Sequence, residues 1–315
     1  MVTFDDIRSA RRVIDGVLHR TPVLRSETLG RRIGARLLLK AECLQKTGSF
    51  KPRGVLNRLR ALTDEEKARG LITFSAGNHA QALAWGARQA GTACTVVMPA
   101  NASRSKAGAA ERYGATVILY GSMPEAFAKM DELRVERNLT LVHPFDDPLI
   151  IAGQGTVGAE IIEQVSGVTK VVVPIGGGGL ISGIALAVKQ ARPGAKVYGV
   201  EPEGASAMFQ SRAAGHAVRL DRVDTIADGL TAPYAGELTF AMTQKYVDDV
   251  VTVTDEQIAE ALHQVLAYCK LVVEPAGAAG IAALLSGKIL IAPGDTVVAV
   301  ASGGNVDLDR LKAIL

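Results

Sequence analysis

The sequence predicts an α/β protein in which parallel sheet is covered by helices. Short apolar runs typical of buried strands alternate with segments of helix length along the whole chain. The chain has 315 residues, 48% of them hydrophobic, which is enough to bury a large core and favours two domains over one. The seven predicted strands comprise residues 37–39, 71–74, 95–98, 116–119, 171–175, 197–200 and 297–300.

The first helix is predicted over residues 4–18. Its apolar side chains repeat at helical spacing and form one face, which can pack on its own domain or across a dimer. These side chains are Phe4, Ile7, Ala10, Val13, Ile14 and Leu18. Helices rich in small residues are predicted over 82–90 and 278–285, where they can pack closely on a sheet.

Composition argues against several classes of protein. A net charge of +3 with 4% aromatic residues gives little support for nucleic-acid binding, and no apolar stretch reaches the length of a membrane span. Residues 1–20 mix Asp and Arg without the apolar core of a secretion signal, so we expect a cytoplasmic protein. Three widely spaced cysteines, Cys43, Cys94 and Cys269, favour free thiols over disulfides or a metal site.

A lysine in a short polar loop, Lys51, is the first candidate for chemistry. It lies between Ser49 and Gly54, directly before a run of helical character. A lysine amine attacks a carbonyl only when burial or a neighbouring positive charge lowers its pKa, and Arg53 two residues on could supply that charge. The alternative is an ordinary solvated surface lysine.

Three more polar loops follow strand-like runs. Residues 75–81, 176–179 and 302–305 each come after one of the predicted strands, and the first two open a helix. The start of a helix offers free N–H groups to an anion, and glycines let a phosphate approach the backbone closely. A tight turn is the alternative for the tetraglycine, whereas a dinucleotide fingerprint is disfavoured because its third glycine would fall on Ile181 or Ser182.

These four loops, in this order, resemble the fold-type II pyridoxal 5′-phosphate enzymes, specifically the threonine dehydratase and serine racemase group. The resemblance spans nearly the whole chain and includes Thr21-Pro22 and the segments 151–156 and 273–277. It implies a two-domain, tryptophan synthase β-like fold with helices on both faces of twisted parallel sheets. Residues 1–67 and 147–315 would form the large cofactor-binding domain and 68–146 the small one. It also implies a homodimer or homotetramer.

The resemblance also implies roles for individual residues. Lys51 would link covalently to the cofactor and, once released, remove the Cα proton of the substrate. Asn78 would bind the ring hydroxyl, the tetraglycine the phosphate, and Ser302 the pyridine nitrogen. The full cofactor-binding set is Phe50, Lys51, Asn78, Gly176, Gly177, Gly178, Gly179, Leu180, Glu274, Ser302 and Gly303.

Substrate contacts are expected at Ser75, Ala76, Gly77, His79 and Phe145. Ser75 could instead be an ordinary helix N-cap. Racemisation needs a second acid–base group, which is a serine in the racemases and is Ala76 here, a residue that cannot carry a proton. Phe145 also follows the dehydratases, because the racemases have asparagine there. The sequence thus favours elimination.

The resulting prediction is a lyase that converts L-threonine to 2-oxobutanoate and ammonia, or L-serine to pyruvate and ammonia. Alternatives are a dehydratase of 3-hydroxyaspartate or phenylserine, a serine racemase, or a non-catalytic protein that keeps the fold. The chain ends ten residues after Asn305, so neither a regulatory domain nor feedback inhibition by isoleucine is expected.

A cation site known in part of the family would fall on Glu201 and the Ala205 carbonyl. The aspartate of the metal-binding members aligns with Ala207, which removes one ligand and one charge. A monovalent ion, or none, is therefore expected in preference to a divalent cation, and Glu201 could equally be a structural hydrogen-bond partner.

Overall fold

The computed structural model describes all 315 residues and contains two sheets. The larger has six strands in the order β1-β2-β10-β7-β8-β9, and the smaller has four in the order β5-β4-β3-β6. The strands are β1 (Val23–Arg25), β2 (Arg36–Ala41), β3 (Leu71–Phe74), β4 (Cys94–Met98), β5 (Thr116–Leu119), β6 (Thr140–Leu141), β7 (Lys170–Pro174), β8 (Lys196–Pro202), β9 (Asp249–Val253) and β10 (Thr296–Ala301).

Fourteen α-helices cover the sheets. They are α1 (Phe4–Ile14), α2 (Glu27–Ile33), α3 (Pro52–Arg60), α4 (Asp64–Ala68), α5 (Asn78–Gln89), α6 (Arg104–Arg112), α7 (Met123–Glu136), α8 (Pro148–Gln164), α9 (Gly179–Ala191), α10 (Ala207–Ala214), α11 (Glu237–Tyr246), α12 (Asp255–Gln264), α13 (Pro275–Leu285) and α14 (Leu308–Ile314). No helix combines the length and the apolar character that crossing a membrane requires.

Every strand pair is parallel except β1 with β2, which is antiparallel. The central strands consist largely of β-branched and small residues, and all six residues of β10 are buried. Such strands are buried on both faces, as a parallel sheet between helices requires. The α/β prediction is confirmed, and all seven predicted strands are present.

Three strands are missing from the prediction. Two of them, β1 and β6, have only three and two residues, too few to show an alternating pattern. The third, β9, reads Asp-Val-Val-Thr-Val and lies at the edge of the larger sheet. The predicted first helix also extended too far, because α1 ends at Ile14 and Gly16 adopts a φ of 70°.

The apolar face of α1 packs within its own chain. Ile7 and Ala10 are buried in a cluster with residues of α8 and α9. The contact is close, since a Cβ added at Gly155 on α8 would overlap the Ile7 side chain. Of the two alternatives for this helix, packing on its own domain is the one observed.

The two sheets are also joined by polar contacts. Ser103, at the start of α6, donates a 2.6 Å hydrogen bond to Asp307, and Lys106 on α6 lies 2.6 Å from Asp228. Both acidic residues belong to segments beside the larger sheet. These contacts link the region of the smaller sheet to the edge of the predicted site.

Candidate active site

The four predicted loops converge at one place. The loops after β3, β7 and β10 lie at the carboxyl ends of their strands, where ligands bind in parallel α/β sheets. Ser49 forms an isolated bridge with Gly303, and the Phe50 N–H donates to the Ser302 carbonyl over 3.1 Å. An atom added at the Cβ position of Gly303 would lie 3.0 Å from Asn78 Nδ2.

Lys51 immediately precedes α3, with its side chain partly buried among these loops. Its amine donates a 2.9 Å hydrogen bond to the Pro144 carbonyl and lies 5.2 Å from the centre of the Phe50 ring. Burial lowers the pKa of this amine to about 8, against an opposing influence of the Glu274 carboxylate. A lysine with this pKa is partly neutral near pH 7 to 8 and can act as a nucleophile or a base.

The positive charge of Arg53 is not what lowers the pKa of Lys51, contrary to the prediction. Arg53 is fully buried and pairs with two carboxylates, Glu42 at 2.8 Å and Glu160 at 2.7 Å. Lys40 is also fully buried and pairs with Glu160 at 2.5 Å. The charges of two cations and two carboxylates therefore balance in this cluster. Through its two ion pairs, Arg53 connects α3 to the end of β2 and to α8.

The tetraglycine loop presents a row of unused donors. The backbone N–H groups from Gly176 to Leu180 donate to no acceptor within the chain. Gly178 has a φ of 92°, and a Cβ at Gly177 would overlap the ring of Phe145. The Thr239 hydroxyl holds the loop by donating to the Gly177 carbonyl over 2.7 Å. A tight turn does not require free N–H groups. A phosphate bound at this loop would accept hydrogen bonds from them.

The start of α5 is a second group of free donors. The N-cap residue is Gly77 and not Ser75, so the N-cap alternative for Ser75 is wrong; the Ser75 hydroxyl instead accepts from the Gly77 N–H over 3.3 Å. No side chain caps the helix, and the N–H groups of Asn78, His79 and Ala80 donate to no acceptor within the chain. Free donors at the positive end of a helix favour an anion such as a carboxylate.

His79 is buried beneath that helix start. Its Nε2 donates to the Val142 carbonyl over 3.1 Å, while Nδ1 has no partner. Burial lowers the pKa of His79 to about 3, and the nearby Lys51 charge acts in the same direction. The ring is therefore neutral at pH 7 and offers one free acceptor.

Phe145 belongs to an aromatic cluster at the tetraglycine loop. Its ring lies 4.7 Å from the ring of His143 and 5.5 Å from that of Tyr234, measured between ring centres. The Arg219 guanidinium carbon lies 4.7 Å from the centre of the Tyr234 ring. Sequence reasoning missed Tyr234 and Arg219, because neither is near a motif and only the fold brings them to Phe145.

Glu274 and Asn305 lie beside Asn78. Glu274 is 4% exposed and accepts a 2.5 Å hydrogen bond from Asn78, and burial raises its pKa to about 7. Asn305 donates to Asn78 over 2.7 Å. Asn305 was not among the predicted site residues, although it ends the fourth loop.

At the predicted cation site, the Glu201 side chain accepts hydrogen bonds from the first turn of a helix. Its two oxygens accept from the N–H groups of Met208 and Phe209 at 2.9 and 2.7 Å, at the start of α10. Burial raises the pKa of this carboxyl to about 8. The structural role weighed for Glu201 is thus observed, and no group of three His, Cys, Asp or Glu residues with metal-binding geometry occurs in the structure. The cation itself stays a prediction.

Comparison with known proteins gives consistent results. A family model described as pyridoxal-phosphate dependent enzyme matches residues 14–303. L-threonine ammonia-lyase of Thermotoga maritima is 44% identical over the whole chain and 78% of its own length. L-threo-3-hydroxyaspartate ammonia-lyase of Saccharomyces cerevisiae is 40% identical over 99% of this chain and 96% of its own. The structure of maize serine racemase superposes with a TM-score of 0.94, at 40% identity, covering 99% and 96% of the two chains.

Proposed function

This chain belongs to the pyridoxal-phosphate dependent enzymes, and from that premise we propose that it is a dehydratase, or ammonia-lyase, of L-threonine and L-serine. Threonine would give 2-oxobutanoate and ammonia, and serine would give pyruvate and ammonia. The observation that carries the proposal is the partly buried Lys51 amine with a pKa of about 8, placed among loops that hold two groups of free N–H donors. Relatives at 44% and 40% identity are named as ammonia-lyases of β-hydroxy amino acids.

The residues present fit pyridoxal 5′-phosphate. The free N–H groups from Gly176 to Leu180 would hold its phosphate, and a side chain at Gly177 would displace Phe145 from the loop. Lys51 would hold its aldehyde carbon, with Asn78 at the ring hydroxyl and Ser302 at the pyridine nitrogen. When bound, the cofactor withdraws electrons from the substrate and so makes the Cα proton removable.

Residues of this chain would bind the substrate and remove its proton. The N–H groups at the start of α5 would bind the substrate carboxylate, with Ser75 and the neutral His79 beside them. Lys51, in its neutral form, would take the Cα proton. The β-hydroxyl then leaves with a proton as water, and the resulting enamine takes up water to give the 2-oxo acid and ammonia.

Elimination is favoured over racemisation by two residues. Ala76 has no group that can return a proton to Cα. Phe145 lies against the tetraglycine loop within an aromatic cluster and cannot donate the hydrogen bonds of an asparagine amide. A product of the opposite configuration is therefore not expected.

A second candidate substrate is threo-3-hydroxyaspartate. The observation in its favour is the cation beside the aromatic cluster, since Arg219 stacks on Tyr234 and Tyr234 contacts Phe145. A guanidinium at this wall could pair with a second carboxylate on the substrate. The yeast relative named for this activity is 40% identical.

The experiment is a substrate panel with the purified, cofactor-loaded protein. Ammonia and 2-oxo acid are measured with L-threonine, L-serine, threo-3-hydroxyaspartate and L-threo-phenylserine, and D-serine is sought by chiral chromatography. We expect turnover of threonine and serine without D-serine. Turnover confined to 3-hydroxyaspartate would establish the second candidate, and accumulation of D-serine would contradict the case made from Ala76.

The proposal also covers the domain boundaries, the cellular location, the oligomeric state and a bound cation. We propose that residues 68–146 form the small domain, supported by the position of all four strands of the smaller sheet within 71–141. A cytoplasmic location is supported by three cysteines without a disulfide. A homodimer or homotetramer remains part of the proposal, as does a monovalent cation, or none, at Glu201 and Ala205.

A further inference from the structure

Three side chains form one hydrogen-bonded chain where the loops meet. Asn305 Nδ2 donates to the Thr47 carbonyl and to Asn78 Oδ1, each over 2.7 Å. Asn78 Nδ2 donates to Glu274 Oε1 over 2.5 Å. The chain thus runs from the loop before Lys51, through the fourth loop, to the start of α5 and of α13.

The direction of this chain is fixed at its Thr47 end. The Thr47 carbonyl can only accept, so Asn305 has to present its NH₂ group there. Asn78 must then present its oxygen to Asn305, which leaves its nitrogen for Glu274. Reversing Asn305 would place oxygen against oxygen, and reversing Asn78 would place its NH₂ group against that of Asn305.

The amide of Asn78 keeps one donor to spare. Its nitrogen carries two protons, and Glu274 takes only one of them. Its oxygen is occupied by Asn305. Asn78 can therefore offer a hydrogen bond to a ligand oxygen through its second N–H.

The backbone around Asn305 is shaped to hold it. Thr47 has a φ of 60°, which is unusual for a residue other than glycine, and its carbonyl is the one that Asn305 holds. Gly48 has a φ of 73°, and a Cβ there would overlap Asn305 Oδ1. The Gly304 N–H donates to the Gly48 carbonyl over 2.9 Å. These features hold the Asn305 side chain in one position within the site.

We propose that Asn305 is a positioning residue that fixes the amide orientation of Asn78. Asn78 would then present an N–H group, and not its carbonyl oxygen, to the hydroxyl oxygen on the ring of the cofactor. The inference rests on the cofactor role given to Asn78 under the proposed function. It does not depend on which amino acid is the substrate, so failure of the substrate panel would leave it intact.

The test is the substitution Asn305→Asp in the full-length protein. A carboxylate of the same shape cannot donate to the Thr47 carbonyl, and it draws the NH₂ group of Asn78 toward itself. The Asn78 oxygen would then face Glu274 and the ligand. The apo-protein is titrated with pyridoxal phosphate, and we expect its affinity to fall about tenfold or more.

A second measurement distinguishes a changed orientation of Asn78 from a general loosening of the loops around it. The visible absorbance of the bound cofactor is followed against pH, because loss of a donor at the ring oxygen moves ionisation of that oxygen to higher pH. The control is Val306→Ala, a change in the same loop that leaves the contacts of Asn305 in place. Equal effects of the two variants, or an unshifted pH profile in Asn305→Asp, would overturn the proposal.

Two further variants guard against a failure to fold. Asn305→Ala removes the constraint without opposing it, so a smaller loss of affinity is expected than for Asn305→Asp. In an Asn78→Ala background, substitution of Asn305 should have little further effect, because the two residues act as one unit. Additive losses would show that Asn305 does not act through Asn78.

Discussion

The amine of Lys51 is hydrogen-bonded to the carbonyl oxygen of Pro144, 2.9 Å away, and forms no ion pair with a carboxylate. A carbonyl stabilises an ammonium less than a paired carboxylate does, so burial dominates and lowers the pKa of Lys51 to about 8. The same carbonyl belongs to the segment that carries His143 and Phe145. One contact therefore joins the reactive amine to the aromatic cluster.

The first prediction concerns the pH dependence of cofactor uptake. Only the neutral amine attacks an aldehyde, so the rate at which apo-protein reacts with pyridoxal phosphate should rise about tenfold per pH unit below pH 8 and level off above it. An unperturbed lysine would give a rise that continues to about pH 10.5. The rate is followed by visible absorbance from pH 6 to 10. Lys51→Ala should give no band and no turnover.

The second prediction concerns the tetraglycine loop. Gly177→Ala should weaken cofactor binding about tenfold or more, because the new methyl group overlaps the Phe145 ring and moves the loop. Dissociation constants are measured by equilibrium dialysis, with thermal unfolding of the apo-protein alongside. Gly194→Ala is the matched control, since nothing lies within 4 Å of its Cβ position.

A rescue sharpens that test. Adding Phe145→Ala to Gly177→Ala removes the ring that the methyl group strikes, so part of the lost affinity should return. If the double variant binds no better than Gly177→Ala, the loss has a cause other than this overlap.

The third prediction concerns the buried ionic cluster of Lys40, Glu42, Arg53 and Glu160. Arg53→Met should lower the free energy of unfolding by about 3 to 5 kcal/mol at pH 7, because two buried carboxylates lose their main partner. Urea unfolding of the apo-protein measures this. Arg11→Gln, which breaks an exposed pair with Glu163, should cost about 1 kcal/mol or less. Similar losses in both variants would contradict the account of Arg53.

The Arg53 cluster also shows where sequence reasoning ends. The loops were predictable because each follows an apolar run, a signal contained in a few neighbouring residues. The partners of Arg53 lie 11 and 107 positions away, and Asn305 reaches Thr47 across 258 positions. No local pattern encodes such pairs. Lys51 could therefore be singled out from its own loop, whereas the cause of its lowered pKa could not be read from the sequence.

The last prediction concerns Glu274, whose pKa burial raises to about 7 from an ordinary value of 4.5. The folded protein then holds a proton that the unfolded chain releases between these two values. The contribution to stability is fully present below pH 4.5 and is lost as the pH rises through 7. Glu274→Gln keeps an acceptor for Asn78 without a charge to bury.

The variant should therefore match the parent protein below about pH 4 and exceed its unfolding free energy by about 3 kcal/mol at pH 9. Urea unfolding of both apo-proteins across this range gives the difference. The charges of Lys51, Lys106 and Asp228 also act on Glu274, but these residues are the same in both proteins. A difference that stays constant with pH would mean that folding does not shift the pKa of Glu274, because the hydrogen bond from Asn78 offsets the effect of burial.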